Sequence, residues 1–183
     1  MVETPADGTV IEGWTGWNPG KVALAMVVVA SFGLWIYAYS GFADRTPPDT
    51  FDDSTFAVKA EPICAAAKAR YLLIPNALAA DDQYERATQI RQANVILDDM
   101  LTQLEAEAEA MPGTERDRGI AALWLDRWRI LLGDRADFAE RVAQDPAAMF
   151  YISEEAGFRA EKSIDYVANT NDMPSCTLPS DVG

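Results

Sequence analysis

Residues 22–39 read VALAMVVVASFGLWIYAY, a run of eighteen positions without a charged side chain. A helix rises about 1.5 Å per residue, so this run covers about 27 Å, close to the ~30 Å hydrocarbon thickness of a bilayer. Asn18 and Pro19 precede the run and are typical of the first positions of a helix. No polar stripe interrupts the run, which argues against a buried core helix. The pattern predicts a transmembrane helix over residues 21–40 that contacts membrane lipids through residues 22–39.

Large aromatic side chains flank this apolar run. Tryptophan and tyrosine favour the headgroup region of a bilayer, because the ring is apolar and its N–H or O–H group is polar. We therefore expect five residues to anchor the helix at the membrane interfaces: Trp14, Trp17, Trp35, Tyr37 and Tyr39.

A cleaved signal peptide is the alternative interpretation of the same run. Ala38 and Ser40 satisfy the small-residue rule for cleavage after Ser40. A signal core, however, usually has about 7–15 apolar residues behind a basic segment. Here the apolar run is longer, and the tail at residues 1–20 has three acidic residues and no basic one. In both interpretations the bulk of the chain is exported.

The cysteines indicate the orientation of the chain. The flanking charges do not decide it, since Lys21 lies on one side of the span and Arg45 on the other. Cys64 and Cys176 both follow the span. An even pair in an extracytoplasmic domain predicts a disulfide, whereas in the cytosol the two would be reduced core residues. We expect the N-terminus inside the cytoplasmic membrane and the C-terminal domain outside it.

The region after the span is acidic, with 26 Asp and Glu side chains against 14 Lys and Arg. Such a negative field repels phosphate backbones, so we expect no nucleic-acid partner. A chain of this size can bury one modest core, which favours a single domain. The predicted organisation is a short tail at 1–20, the span at 21–40, a linker at 41–53 and an extracytoplasmic helical domain at 54–183.

Helical spacing of apolar residues begins soon after the linker. A helix is predicted in the second half of residues 54–73, with Pro62 at a first-turn position. The next helix is predicted over about residues 81–110, where Asp82 and Glu85 resemble a capping box.

Three further helices are predicted after residue 113. One starts with a cap at Thr114 and ends at Gly133. A short one is capped by Asp134, and a last one extends over 145–168 with six residues facing inward: Met149, Ile152, Ala156, Ala160, Ile164 and Val167. Short connections between long helices favour antiparallel neighbours. The predicted fold class is all-α: a single N-terminal transmembrane helix followed by an antiparallel bundle of four or five helices, closed by a disulfide.

Several short motifs accompany this helical pattern. Residues 56–67 read FAVKAEPICAAA, a proline-broken helical hairpin and a Trp-containing helix follow, and Leu132-Gly133-Asp134 precedes the distal Cys176. Together, over about residues 54–178, they resemble a broad group of actinobacterial membrane-anchored extracytoplasmic helical domain proteins of unknown function. The resemblance implies a disulfide-closed helical ectodomain, and it carries over no functional residues.

The sequence shows no catalytic motif. Without histidine, Ser-His-Asp and Cys-His schemes and histidine zinc ligands are excluded within the chain. Glu105, Glu107 and Glu109 point in divergent directions on a straight helix, so a solvated surface is the better interpretation than an ion site. The glycine-rich phosphate-binding and nucleophile-elbow patterns are absent. We expect no enzyme activity, no metal and no cofactor.

Two aromatic pairs are candidates for a partner surface. Trp124 and Trp128 lie one helical turn apart and can either fill the bundle core or anchor an interface. Phe150 and Tyr151 lie in a stretch that is apolar all round, so one of them is expected to be exposed.

Three functions remain open at this stage. The favoured hypothesis is a non-catalytic single-pass membrane protein, an accessory or interaction subunit that presents its acidic domain to a protein partner in a membrane complex or envelope assembly. The alternative is a membrane-tethered sensor or binding module for a small ligand, with a cavity beside Trp124 or Trp128. The third is an enzyme of unrecognised type.

Overall fold

The structure, a computed structural model, describes residues 18–40, 47–155 and 158–180. These residues form two compact units, and the division between them falls after Thr46. Each unit is described by itself.

The first unit holds helix α1, which runs over Pro19–Tyr39. Asn18 caps this helix, because its side-chain oxygen accepts a hydrogen bond from the Lys21 backbone N–H at 2.9 Å. None of its residues is buried by the described protein. Within the described ranges it is the one helix that is long and apolar enough to cross a membrane. The predicted apolar helix is therefore present.

The second unit is built almost wholly of helices. Its elements, in chain order, are α2 (Thr55–Tyr71), a 3₁₀ turn (Ala77–Ala79), α3 (Gln83–Ala110), α4 (Glu115–Gln144), β1 (Glu154–Glu155), β2 (Phe158–Arg159), α5 (Ala160–Thr170) and a second 3₁₀ turn (Pro174–Cys176). The two strands are two residues each and pair antiparallel. The prediction of an all-α fold with one apolar N-terminal helix and a disulfide is confirmed.

The long helices α3 and α4 form an antiparallel hairpin that organises this unit. They have 28 and 30 residues and are therefore about 42 and 45 Å long. Asp82 caps α3 by accepting the backbone N–H groups of Tyr84 and Glu85, each at 2.8 Å. Thr114 caps α4 by accepting the backbone N–H of Asp117 at 3.1 Å. Both predicted caps are confirmed.

Two hydrophobic cores lie along this hairpin. The larger one surrounds the end where α3 connects to α4, and there α2 packs on α3 while α5 packs on α4. The smaller one lies towards the other end, and its buried members are Ala77, Ala87, Ile90, Phe138, Ala139 and Val142. The short helices thus cover mainly one part of the hairpin, and connecting segments cover the rest.

A disulfide joins Cys64 in α2 to Cys176 in the last 3₁₀ turn. The two residues are 112 positions apart, and their Cα atoms are separated by 5.0 Å. Both are fully buried in the larger core. In the chain-entropy model a loop of this length stabilises the fold by about 4–5 kcal/mol.

Two predicted helix boundaries were wrong. Helix α4 continues through Gly133 to Gln144, so the predicted third and fourth helices are one. A helical glycine costs only about 1 kcal/mol, and the buried Leu131 and Arg135 on either side offset this cost by packing. Pro62 lies inside α2 and not in its first turn. Both Pro62 and Val58, whose carbonyl would have been its partner, are exposed residues, so water can replace the missing hydrogen bond.

The predicted fifth helix is also shorter than expected, because α5 begins only at Ala160. The residues before β1 instead follow α4 without helical structure. Ser153 donates hydrogen bonds from its backbone N–H and its hydroxyl to the Asp134 carboxylate, both at 2.7 Å, and these bonds hold the segment on α4. Asp134 therefore does not cap a helix. Of the predicted inward residues, Ile164 and Val167 are buried. Ile152 is half-buried and Met149 is exposed, while Ala156 lies outside the described residues and the side chain of Ala160 is not described.

Candidate functional site

The segment that leads into the second unit, residues 47–53, is held by the folded domain. Phe51 is buried and packs edge-on against Phe56 with ring centroids 5.4 Å apart. Asp117, fully buried in the first turn of α4, accepts the backbone N–H of Asp52 at 2.8 Å and that of Asp53 at 3.3 Å. We call residues 47–53 with their side-chain partners the entry clamp.

Two more side chains complete the entry clamp. Arg116 donates to the backbone oxygens of Pro48 at 2.6 Å and Thr50 at 2.9 Å. Asn171, at the end of α5, accepts the Phe51 backbone N–H at 2.7 Å and donates to the Asp49 backbone oxygen at 2.8 Å. Backbone groups that a free linker would leave to water are therefore bonded to α4 and to Asn171, the residue that follows α5.

The linker predicted over residues 41–53 includes residues 47–53 of the entry clamp. Residues 41–46 lie outside the described residues, and residues 47–53 are part of the folded unit. The sequence analysis missed Arg116, Asp117 and Asn171. An acidic residue in the first turn of a helix usually signals only a favourable dipole interaction, so no local pattern distinguished Asp117.

Two hydrogen bonds to Asp53 stabilise the start of α2. Asp53 accepts the hydroxyl of Thr55 at 2.5 Å and its backbone N–H at 2.9 Å. These two bonds favour the ionised carboxylate and lower the pKa of Asp53.

Trp124 and Trp128 lie in the core of the described domain and not on its surface. Each is only 1% exposed, and their rings meet edge to face at 6.4 Å. The Trp124 Nε1–H donates to the Ile164 backbone oxygen at 3.2 Å and so ties α4 to α5. The face of α4 that carries both rings is covered because α2, α3 and α5 all contribute to the same core.

The second aromatic pair is divided by the fold. Phe150 is half-buried against Phe138, at 5.4 Å between ring centroids, whereas Tyr151 is 65% exposed.

Exposed apolar side chains also occur in the connection between α2 and α3, where Leu72, Leu73 and Leu78 face solvent. Leu73 is 84% exposed. We call these three leucines the leucine edge.

The acidic clusters on α3 form ion pairs with neighbouring helices. Arg129 donates to both oxygens of Glu105, at 2.6 and 2.7 Å, and also pairs with Asp98. Hydrogen bonding to Arg129 lowers the pKa of Glu105, and the same bond raises the pKa of Arg129. Glu107 instead pairs with Lys59 at 2.7 Å. These carboxylates bind α3 to α2 and α4, as expected for a helix surface rather than an ion site.

The remaining predicted site residues lie on the apolar helix or outside the described chain. Trp35, Tyr37 and Tyr39 are exposed near the end of α1, with the rings of Trp35 and Tyr39 stacked at 5.1 Å. Trp14 and Trp17 are outside the described residues. Among residues 18–40, 47–155 and 158–180, no group of three or more His, Cys, Asp or Glu side chains is arranged to hold a metal ion.

Comparison of the chain with family models, with curated proteins and with solved structures finds no match. The function is therefore argued from the chemistry of this chain alone.

Proposed function

We propose that the protein is a non-catalytic, single-pass membrane protein that presents its acidic helical domain outside the cytoplasmic membrane to a protein partner. The observation that carries this proposal is helix α1, which is apolar on every side over residues 22–39 and has no residue buried by the described protein. Such a surface is unfavourable in water, and burial in a bilayer removes that cost.

The disulfide supports the outward orientation of the domain. Disulfides persist in oxidising compartments and are rare where thiols are kept reduced. The described chain contains no free cysteine, because Cys64 and Cys176 are bonded to each other. We therefore propose that the N-terminus is inside and that residues 54–183 are outside, in keeping with the resemblance to actinobacterial anchored domains.

The entry clamp supports a role in which the domain is presented to another protein. Its hydrogen bonds fix the path of the chain from Pro48 to Asp53 on the surface of the domain. Glu105 and Glu107 join helices, since Glu105 pairs with Arg129 of α4 and Glu107 pairs with Lys59 of α2. These contacts stabilise the folded domain, and an interaction subunit requires a stable fold.

The leucine edge is the proposed contact for the partner. Single exposed apolar residues are ordinary on a protein surface, but here three exposed leucines lie within one connection of an otherwise acidic domain. Trp124 and Trp128 are buried, and Tyr151 is exposed and is a second candidate contact.

Thiol labelling in intact cells tests the orientation. Expressed at its native level, the full chain should resist alkylation unless a reductant is added first, and an externally added protease should digest the domain. Free thiols without reductant, together with protection from the protease, would overturn the orientation. The mass of the mature protein separates an uncleaved anchor from a processed signal peptide.

Crosslinking in native membranes tests the partner contact. A crosslinked complex should form with the wild type and be lost in the double variant Leu72→Ser/Leu73→Ser. Leu123→Ser is the matched control, because Leu123 is an exposed leucine on α4, outside the leucine edge. A complex that survives in the double variant, or that is lost equally in the control, would contradict the proposed contact.

A further inference from the structure

Met149 is the one methionine of the described folded unit that is open to solvent. It lies in the segment between α4 and β1 and is 65% exposed. Met100, Met111 and Met173 are the other methionines of this unit, and all three are buried, at 6% exposure or less. A thioether is oxidised to a sulfoxide more readily where an oxidant can reach it. The folded unit therefore presents a single accessible thioether, at Met149.

The Met149 sulfur has a hydroxyl group as its neighbour. The Tyr151 O–H donates to the Met149 Sδ at 3.6 Å, and this tyrosine is also 65% exposed. The backbone on both sides of the pair is held on α4. Arg141 donates to the Met149 backbone oxygen at 3.3 Å, and the Asp134 carboxylate accepts the Ser153 backbone N–H at 2.7 Å. The two exposed side chains therefore belong to a segment that is bonded to α4.

Oxidation of the sulfur changes what the tyrosine hydroxyl can bind. A thioether sulfur is a weak hydrogen-bond acceptor, whereas the oxygen of a sulfoxide is polar and accepts strongly. The new oxygen would be attached to the atom that already accepts the Tyr151 O–H. The hydroxyl therefore needs only a small rotation to donate to this oxygen, and the bond between the two side chains should be stronger after oxidation.

We propose that Met149 is a reversible oxidation site, at which a peroxide forms the sulfoxide and the Tyr151 O–H donates to its oxygen. In the forward step the O–O bond of the peroxide breaks and an S–O bond forms at Met149. With hydrogen peroxide the second oxygen leaves as water, so the sulfur loses two electrons and the peroxide gains them. A dithiol reductant reverses the step, because it is oxidised to a disulfide while the sulfoxide oxygen leaves as water.

The oxidation site lies outside the leucine edge and is independent of the partner proposed to bind there. Tyr151 is, however, the second candidate contact for a partner. Oxidation makes the Met149 side chain polar and engages the hydroxyl of Tyr151. A partner that contacts Tyr151 would therefore meet a changed surface, and this consequence alone rests on the proposed function.

Peptide mass spectrometry measures the oxidation rate of each methionine in the full chain, reconstituted in lipid nanodiscs and exposed to hydrogen peroxide. We expect Met149 to be oxidised at least about 10-fold faster than the three buried methionines, because a buried sulfur reacts only after local opening. In urea, where the domain is unfolded, the four methionines should react at similar rates. A methionine sulfoxide reductase supplied with a dithiol should restore the original mass at Met149.

The tyrosine ring signals of a ¹H–¹³C spectrum report the hydrogen bond. The Tyr151 signals should shift as Met149 is oxidised, whereas those of Tyr166, an exposed tyrosine on α5, should not. Met149→Leu removes the sulfur and should abolish the shift under the same treatment. The amides of residues 150–152 should exchange about 5-fold more slowly after oxidation, and Tyr151→Phe should lose this gain. Both variants change exposed residues, so folding is not at risk.

Three results would overturn the proposal. The first is oxidation of Met149 that is no faster than that of the buried methionines in the folded chain. The second is a set of Tyr151 ring signals that does not move when Met149 is fully oxidised. The third is an equal effect of oxidation on amide exchange in the wild type and in Tyr151→Phe. Crosslinking to a protein partner is measured separately, so the proposed function and the oxidation site can fail independently.

Discussion

Removal of the Asp117 carboxylate should release residues 52 and 53 from α4. In the entry clamp this buried side chain accepts two backbone N–H groups, at 2.8 and 3.3 Å. A hydrogen bond to a charged group contributes about 1.5–3 kcal/mol, and the longer bond lies at the lower end of this range or below it. We therefore expect Asp117→Ala to lower the free energy needed to detach this segment from the domain by about 3 kcal/mol.

Hydrogen exchange measures this effect locally. A loss of about 3 kcal/mol raises the population of the opened segment about 150-fold, so the amides of Asp52 and Asp53 should exchange faster by a similar factor. Peptides from the middle of α3, such as residues 93–104, should keep their protection if the opening is local. Asp117→Asn retains one side-chain acceptor oxygen and should show roughly half of the free-energy loss.

Glu115→Ala is the matched control for this experiment. Glu115 is another acidic residue in the first turn of α4, so its removal has a similar effect on the helix dipole. It is exposed, and none of the entry-clamp hydrogen bonds involves it. Exchange at residues 52 and 53 that stays within about threefold of the wild type in Asp117→Ala, or that rises equally in Glu115→Ala, would refute the reasoning.

Three further predictions concern the helical core. Glu105→Gln should lower the free energy of unfolding by about 0.5 kcal/mol at pH 7, a small value because the ion pair is partly exposed. Since Arg129 lowers the folded-state pKa of Glu105, this contribution is present above the ordinary pKa of 4.5 and is lost as pH falls through the lowered value; urea unfolding at several pH values measures it. Gly133→Ala should stabilise the fold by about 0.5–1 kcal/mol in thermal unfolding, because it removes the entropy cost of glycine and the added Cβ meets no atom within 4 Å. Trp124→Phe should destabilise the domain by about 1–2 kcal/mol more than Trp128→Phe in urea unfolding, because only the Trp124 Nε1–H has a hydrogen bond to lose.

Opposite results in these experiments would contradict the structural reasons given. A Glu105→Gln effect that persists far below the ordinary carboxyl pKa would mean that the ion pair with Arg129 is not its source. Destabilisation by Gly133→Ala would indicate that α4 ends at this residue, as the sequence analysis expected. Equal losses for the two tryptophan variants would show that packing outweighs the hydrogen bond to Ile164.

The sequence predicted those features that depend on neighbouring residues. The caps at Asp82 and Thr114 are confirmed, because a capping side chain bonds to backbone groups only two or three positions away. The end expected at Gly133 was wrong for the complementary reason. Glycine has a low helix propensity, but residues distant in the chain pack against α4 and stabilise the helix through this position.

The entry clamp could not be predicted in this way. Its contacts join residues far apart in the chain, such as Phe51 with Asn171, which are separated by 120 positions. Residues 41–53 contain prolines and acidic side chains, which are typical of a linker, and nothing in the local pattern indicated that Phe51 is buried.

The sequence by itself determined the apolar helix, the helical class of the domain and the availability of two cysteines for pairing. These properties follow from composition and from short-range periodicity, which any single stretch of chain displays. Only the tertiary structure decided that Trp124 and Trp128 are buried and that Asp117 binds the entering segment. Burial and long-range hydrogen bonding depend on which helices pack together, and this packing is determined by contacts throughout the core.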